Sequence, residues 1–103
     1  MKQNKKLLLD IKKDINLKNE IFPISNEYPY EFKDSFDVYI DELILNDRSI
    51  KTIKSYYFDL KIFFDFLIEK FPQIDEYSKL KPLHITRYYS YIQRERGNEA
   101  RSI

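Results

Sequence analysis

The chain has 103 residues, a formal net charge of +1 at pH 7, a hydrophobic fraction of 43% and an aromatic fraction of 17%. This length fits one small domain whose large side chains can build a core. One glycine and no cysteine exclude a glycine-rich phosphate loop, a disulfide framework and a cysteine metal site. No apolar run approaches a membrane span or a signal-peptide core, so we expect a reducing, cytoplasmic setting and no membrane contact.

Residues 1–33 are expected to form an N-terminal arm that is partly irregular. Leu8, Ile11 and Ile15 are spaced for a short helix between lysines. A flexible or loosely docked arm is an equal alternative. An irregular connection follows, marked by Pro23 and Pro29, and its aromatic residues are candidates for packing on the domain: Phe22, Tyr28, Tyr30 and Phe32.

Residues 34–103 are predicted to form an all-α domain, a small bundle of about four helices. Asp34 or Ser35 is a suitable N-cap for the first of them. Residues 34–47 contain five acids and no basic residue, and the spacing of the acids matches no calcium loop: Asp34, Asp37, Asp41, Glu42 and Asp47. We expect a solvated acidic face that points away from any nucleic acid. The apolar face comprises Phe36, Tyr39, Ile40, Leu43 and Ile44.

The second predicted helix, capped by Ser49 and ended by Pro72, is the longest periodic segment. The Ser49 hydroxyl is expected to accept a hydrogen bond from the amide of Lys51 or Thr52. One apolar face contains Ile53, Tyr56, Tyr57, Leu60, Phe63, Phe64, Leu67 and Phe71, and an opposite stripe contains Phe58, Ile62 and Phe66. A helix that is apolar on two sides is predicted to lie centrally, between neighbours.

A third helix is predicted from Pro82 to a stop at Gly97, and a fourth starts in the last six residues. The truncated fourth helix indicates that the natural protein continues. The buried face of the third helix is expected to hold Ile85, Tyr88, Tyr89 and Ile92. His84, at its start, is interpreted as a surface or capping residue, because no nucleophile or metal-ligand pattern accompanies it.

The start of the second helix has the residue types that bind phosphate. It combines three cations with three hydroxyls: Arg48, Lys51 and Lys54 with Ser49, Thr52 and Ser55. The free amides and partial positive charge of a helix start also suit a phosphate. Arg101 and Ser102 repeat part of the pattern at the fourth helix, so two helix starts are predicted to face one duplex. The alternative is that Ser49 only caps, Thr52 packs and the lysines are solvated.

One pattern in this helix resembles the N-terminal core-binding, SAM-like domain of tyrosine recombinases, the phage integrase and Xer-type proteins. It consists of Ser49, Thr52-Ile53, Tyr56, Asp59-Leu60, Phe63 and Phe66-Leu67. The resemblance covers roughly residues 34–103 and implies a four-helix domain that forms half of a clamp around recombination-site DNA. In that family the starts of the second and fourth core helices approach the duplex. This implies DNA contacts from Ser49, Lys51, Thr52, Lys54, Ser55, Arg101 and Ser102.

The same resemblance implies that the chain itself is not catalytic. The family's catalytic set lies in a separate C-terminal domain, and no such set is present here. The implied partners are double-stranded DNA, that catalytic domain and other protomers on DNA, with no cofactor or metal. Glu99 departs from the family, which often has serine there, and weakens phosphate binding by the fourth helix. Lys81 and His84 also depart from it.

A second hypothesis is a helical protein–protein interaction module. In that case the stripe of Phe58, Ile62 and Phe66 forms the partner surface. The two hypotheses differ in whether the chain's own helices bury this stripe.

Overall fold

The computed structural model describes the backbone of residues 2–95 and the side chains of residues 6–95. All regular structure in this range is helical, which confirms the predicted all-α class and small bundle. The helices are α1 (Lys2–Lys13), α2 (Ile15–Ile21), α3 (Tyr30–Leu45), α4 (Ile50–Lys70) and α5 (Pro82–Glu95), with a 3-10 turn at Tyr77–Lys79. The predicted stop at Gly97 and the fourth core helix lie outside the described residues.

The N-terminal segment contributes two helices to the packing. Leu8 and Ile11 on α1 are buried in the same core as α3 and α4. The single helix predicted through Ile15 is wrong, because Asp14 leaves the helical conformation at φ −129° and ψ 103°. The Asp14 carboxylate accepts hydrogen bonds from the first amides of α2, so a second helix begins there. Ile15 is consequently 63% exposed.

Helix α3 begins at Tyr30, about one turn before the predicted cap at Asp34 or Ser35. The reason is the packing of Phe32, which is fully buried and stacks on Phe64 with 4.4 Å between ring centroids. Burying a phenylalanine contributes about 1.5–3 kcal/mol, whereas a side-chain cap contributes roughly 1 kcal/mol. The predicted boundary between the arm and the helical domain therefore falls inside α3.

Aromatic rings from the connector between α2 and α3 (residues 22–29), from α3 and from α4 form the centre of the core. Phe36 meets Phe64 edge-on at 5.2 Å, and Tyr28 stacks on Phe36 at 5.6 Å. Tyr57 packs against Phe22 at 5.4 Å. Offset and edge-to-face pairs at these distances add to the free energy of burial. Of the four aromatic residues expected to pack on the domain, Phe22, Tyr28 and Phe32 are thus part of the core, and Tyr30, the first residue of α3, is 70% exposed.

The buried tyrosines also tie the connector to α4 by hydrogen bonds. The Tyr28 hydroxyl donates to Asp65, whose second oxygen accepts from Lys61 at 2.8 Å. Burial and the neighbouring Asp65 carboxylate raise the pKa of Tyr28 far above its ordinary value. The Tyr57 hydroxyl donates to the carbonyl of Pro23. Hydrogen bonds at Pro23 and at Tyr28 therefore attach the irregular connection to α4.

A buried lysine joins α2 to the acidic face of α3. The Lys18 ammonium group lies 2.6 Å from a carboxylate oxygen of Asp37 and 2.7 Å from one of Asp41. Its side chain is only 5% exposed, whereas both carboxylates are about half exposed. Burial lowers the pKa of Lys18, but the hydrogen bonds and charges of the two aspartates outweigh it and the pKa is raised. Two acidic residues of the face that was predicted to be solvated, Asp37 and Asp41, are thus paired with Lys18.

Helix α4 is central, as predicted, but its apolar face is only partly buried. Tyr57, Phe64 and Leu67 are buried, whereas Tyr56 is 43% exposed. The opposite stripe is divided, because Phe66 is buried and Phe58 is 54% exposed. The helix ends at Lys70, before Pro72, as predicted.

Helix α5 begins at Pro82, as predicted, and packs its aromatic side chains against α4 and Phe71. The contacts that define this arrangement are Phe71 with His84 at 4.7 Å, Phe63 with Tyr88 at 4.8 Å and Phe66 with Tyr91 at 5.0 Å between ring centroids. Among residues 82–95 none is fully buried, and Tyr89, predicted to be inside, is 64% exposed. Tyr91, and not Tyr89, packs against Phe66 of α4. Helix α5 is therefore the least covered of the helices in the described chain.

Candidate nucleic-acid interface

The start of α4 is a capped helix terminus with an ordered pair of hydroxyls. Ser49 is the N-cap, and its Oγ accepts from the amide of Thr52 at 3.2 Å, as predicted. The Ser49 hydroxyl also donates to Thr52 Oγ1 at 2.9 Å. A helix leaves its first amides without intrahelical partners, and Ser49 satisfies only that of Thr52. The amide of the exposed Lys51 has no acceptor among the described residues and remains available to an anion, whereas Ile50 is only 4% exposed.

The cations at this terminus are exposed and unpaired within the described chain. Arg48, Lys51 and Lys54 are exposed, as is Ser55, and none of the three cations forms an ion pair with a residue between 6 and 95. No acidic residue occurs in the sequence between Asp47 and Asp59. The first turns of α4 therefore present positive charge together with the unbonded amide of Lys51, which is the chemistry that holds a phosphate.

The isoleucines between these polar residues fix the orientation of the terminus. Ile50 is 4% exposed and Ile53 fully buried, so they anchor the first turn in the core. Lys51, Lys54 and Ser55 lie on the remaining, solvent-facing sides of the helix. Thr52 is half-buried and its hydroxyl is occupied by Ser49, so its contribution is to position the cap.

The turn between α3 and α4 brings an acidic residue next to the cations. The amide of Asp47 donates to the carbonyl of Ile44, and the amide of Arg48 donates to that of Leu43, each at 3.1 Å. These two bonds form a Schellman motif, in which Asp47 takes the left-handed position at φ 59° that usually favours glycine. The link between α3 and α4 is thus an αL turn with the Asp47 carboxylate at its tip.

Lys12 is a residue of this site that sequence reasoning missed. From the last turn of α1 it forms an ion pair with Asp47, although the two are 35 positions apart in the chain. It offsets the one negative charge beside Arg48 and Ser49. Only the docking of α1 brings Lys12 here, and no local pattern in the sequence signals it.

The second predicted DNA contact, at the start of the fourth core helix, is not described by the structure. Arg101 and Ser102 lie outside the described residues, so their pairing with the start of α4 stays a prediction.

His84 is a capping residue, as interpreted: its Nδ1 accepts a hydrogen bond from the amide of Lys81 at 2.9 Å, and its ring contacts that of Phe71. The amide of Lys81, which precedes α5, is thus capped by His84.

Two further properties of the described residues bear on function. No group of three acidic or histidine side chains among them is arranged to hold a metal ion. No described helix combines the length and apolarity needed to cross a membrane. In comparisons with protein-family models, with curated proteins and with solved structures, nothing matches this chain.

Proposed function

We propose that this chain is a DNA-binding module that grips duplex DNA through phosphates at the start of α4. The observation that carries the proposal is the combination found there. A serine-capped terminus with the unbonded amide of Lys51 is surrounded by Arg48, Lys51 and Lys54, whose side chains are exposed and unpaired within the described chain. Contacts of this kind position a duplex with modest sequence selectivity.

The resemblance to the core-binding, SAM-like domain of tyrosine recombinases supports a more specific form of this proposal. The chain would then be the non-catalytic clamp half of a cytoplasmic site-specific recombinase or integrase. Its partners would be recombination-site DNA, a C-terminal catalytic domain and other protomers on DNA. The helix order and the cap at Ser49 are compatible with it, and Arg101 with Ser102 would supply the second DNA contact.

Fluorescence anisotropy with a labelled duplex at low salt tests the DNA-binding proposal. We expect binding that weakens steeply as salt rises, because phosphate contacts release counterions. The double variant Lys51→Glu/Lys54→Glu should lower the affinity by about tenfold or more, since each reversal replaces attraction by repulsion.

The matched control is Arg87→Glu/Arg94→Glu, which changes the net charge equally on the side of α5. Its effect on duplex affinity should stay within about threefold, reflecting only the general loss of positive charge. If wild type does not bind duplex, or if both double variants bind like wild type, the proposal is wrong. Equal losses in both would mean that duplex affinity is not localised at the start of α4.

The alternative of a protein-interaction stripe on α4 is weakened by the packing. Phe66 is 5% exposed because Tyr88 and Tyr91 of α5 cover it, so the stripe is not one continuous surface. Only Phe58 is largely exposed.

A further inference from the structure

A groove of about 230 Å³ lies between the second half of α4 and α5. Its floor is aromatic and consists of Phe66, Phe71 and Tyr91. Phe66 is buried, and the other two are half-buried. Phe66 is held between Phe71 at 5.8 Å and Tyr91 at 5.0 Å, which fixes the floor. The groove thus offers a preformed apolar surface to one side chain of a ligand.

The rim of this groove is predominantly basic. Lys70, Arg87 and Arg94 line it, against the single acid Glu95. Arg87 and Arg94 are two turns apart on α5, so they lie on the same face of the helix. Neither forms an ion pair with a residue in the described part of the chain. Lys70 has only a 3.7 Å contact with its neighbour Glu69.

Lysines elsewhere on the surface differ from Arg87 and Arg94 because they form ion pairs with acids close by in the sequence. Lys61 lies 2.8 Å from Asp65, and Lys79 lies 2.7 Å from Asp75, each pair four residues apart in the chain. The two arginines have no such local acid, because the positions one turn away from them on α5 are not acidic. The rim therefore carries charge that an external anionic group can use.

We propose that this groove binds an acidic peptide segment of a protein partner. One aromatic or aliphatic side chain of the peptide rests on the floor, and its carboxylates pair with Arg87 and Arg94. The planar guanidinium groups match carboxylates in bidentate geometry. An apolar anchor with arginines beside it is the composition found at the centre of protein interfaces.

The groove's chemistry favours a peptide over nucleic acid. A nucleic-acid strand laid along the rim brings phosphates past Glu95, whereas a peptide can place a backbone amide or a hydroxyl there. The centre of the groove at Phe66 is also about 25 Å along the helix axis from Ser49, since each residue advances about 1.5 Å. The peptide site is therefore separate from the proposed DNA contact and independent of it.

Selection of random peptides displayed on phage tests the proposal. The wild-type chain is the bait, and Arg87→Glu/Arg94→Glu removes peptides that do not need the arginines. We expect the selected sequences to carry several carboxylates around one aromatic or aliphatic residue. In anisotropy titrations the best labelled peptide should lose about tenfold or more in affinity to this double variant, because two charge pairs become repulsive.

Three controls make the result decisive. Arg87→Lys/Arg94→Lys keeps the charge and loses the bidentate geometry, so an intermediate loss is expected. Lys51→Glu/Lys54→Glu changes the net charge equally and should keep peptide affinity within about twofold. Circular dichroism confirms that each variant remains helical.

Several outcomes would overturn the proposal. One is a selection that yields no arginine-dependent peptide, or yields peptides without acids. Another is a loss of duplex affinity in Arg87→Glu/Arg94→Glu as large as in Lys51→Glu/Lys54→Glu, which would make the groove a nucleic-acid contact. A third is self-association, seen by sedimentation and abolished by the arginine variant, which would make the occupant a second copy of the chain. The first and third outcomes do not depend on whether the start of α4 binds DNA.

Discussion

Lys18 shows how much one residue contributes to joining the N-terminal segment to the rest of the fold. It carries a charge into a position that is 5% exposed and meets two carboxylates there. Lys18→Ala removes the aliphatic packing and leaves Asp37 and Asp41 repelling each other one turn apart. We expect the free energy of unfolding to fall by about 2–3 kcal/mol in urea titrations.

Two control variants separate the contributions at this site. Lys18→Met keeps most of the packing, so its smaller loss of about 1 kcal/mol measures the ion pairs alone, because both carboxylates remain hydrated. Lys13→Ala, on the exposed end of α1, should change the stability by no more than about 0.5 kcal/mol. A Lys18→Ala variant as stable as wild type would mean that α2 contributes nothing to the cooperative fold.

At the scale of elements, α1 and α2 offer a direct test of the break at Asp14. Leu8, Ile11 and Ile15 fit one helical face in the sequence, yet Ile11 is 3% exposed and Ile15 63%. Ile11→Ala should therefore cost about 2–4 kcal/mol through lost burial and a cavity. Ile15→Ala, the same chemical change, should cost less than about 0.5 kcal/mol. Equal losses in thermal or urea unfolding would contradict the docking of α1.

The turn between α3 and α4 is predicted to be strained at Asp47. A non-glycine residue with φ 59° costs up to about 1 kcal/mol relative to glycine. Asp47→Gly removes this cost and also the ion pair with Lys12. In a Lys12→Met background, where the pair is already absent, the substitution should raise the free energy of unfolding by about 0.5–1 kcal/mol. Destabilisation in that background would show that Asp47 has another role.

At the scale of the whole molecule, stability should fall at alkaline pH. The pKa values of Tyr28, Tyr57 and Tyr77 are raised from an ordinary value of 10.0, mainly by burial, and that of Lys18 is raised from 10.5. Folding therefore favours the protonated forms. Their contribution is fully present below about pH 10 and is lost as the pH rises through the raised values.

Urea midpoints measured at about pH 8, 10 and 11 check this expectation, with a plateau followed by a decline. Tyr28→Phe should be less stable at neutral pH by about 1 kcal/mol, through loss of the bond to Asp65. Its decline above about pH 10 should be shallower than that of wild type, because one linked proton is gone. A decline of unchanged slope would assign the alkaline sensitivity to the other groups.

The sequence was sufficient to predict features that depend on local chemistry. The cap at Ser49, the end of α4 before Pro72 and the start of α5 at Pro82 all follow from one residue and its neighbours. Features set by tertiary packing were not accessible. The burial of Phe32 moved the start of α3, Asp14 divided the first helix, and Lys12 reached the start of α4 from a distant position. For Phe32 and Lys12 the deciding contact lies far along the chain, whereas Asp14 caps the nearby amides of Asn16 and Leu17, and this local interaction outweighs the apolar spacing.

The ion pair between Lys12 and Asp47 has a thermodynamic consequence for the proposed interface. With α1 docked, a cation covers the carboxylate beside the start of α4, and an anion arriving there meets less repulsion. With α1 displaced, the Asp47 carboxylate no longer has the Lys12 cation beside it. Any anion that binds more tightly to the docked form must, by reciprocity, hold α1 more firmly in its place. The N-terminal helix and an anionic ligand at the start of α4 are thus coupled through a single carboxylate, without any contact between them.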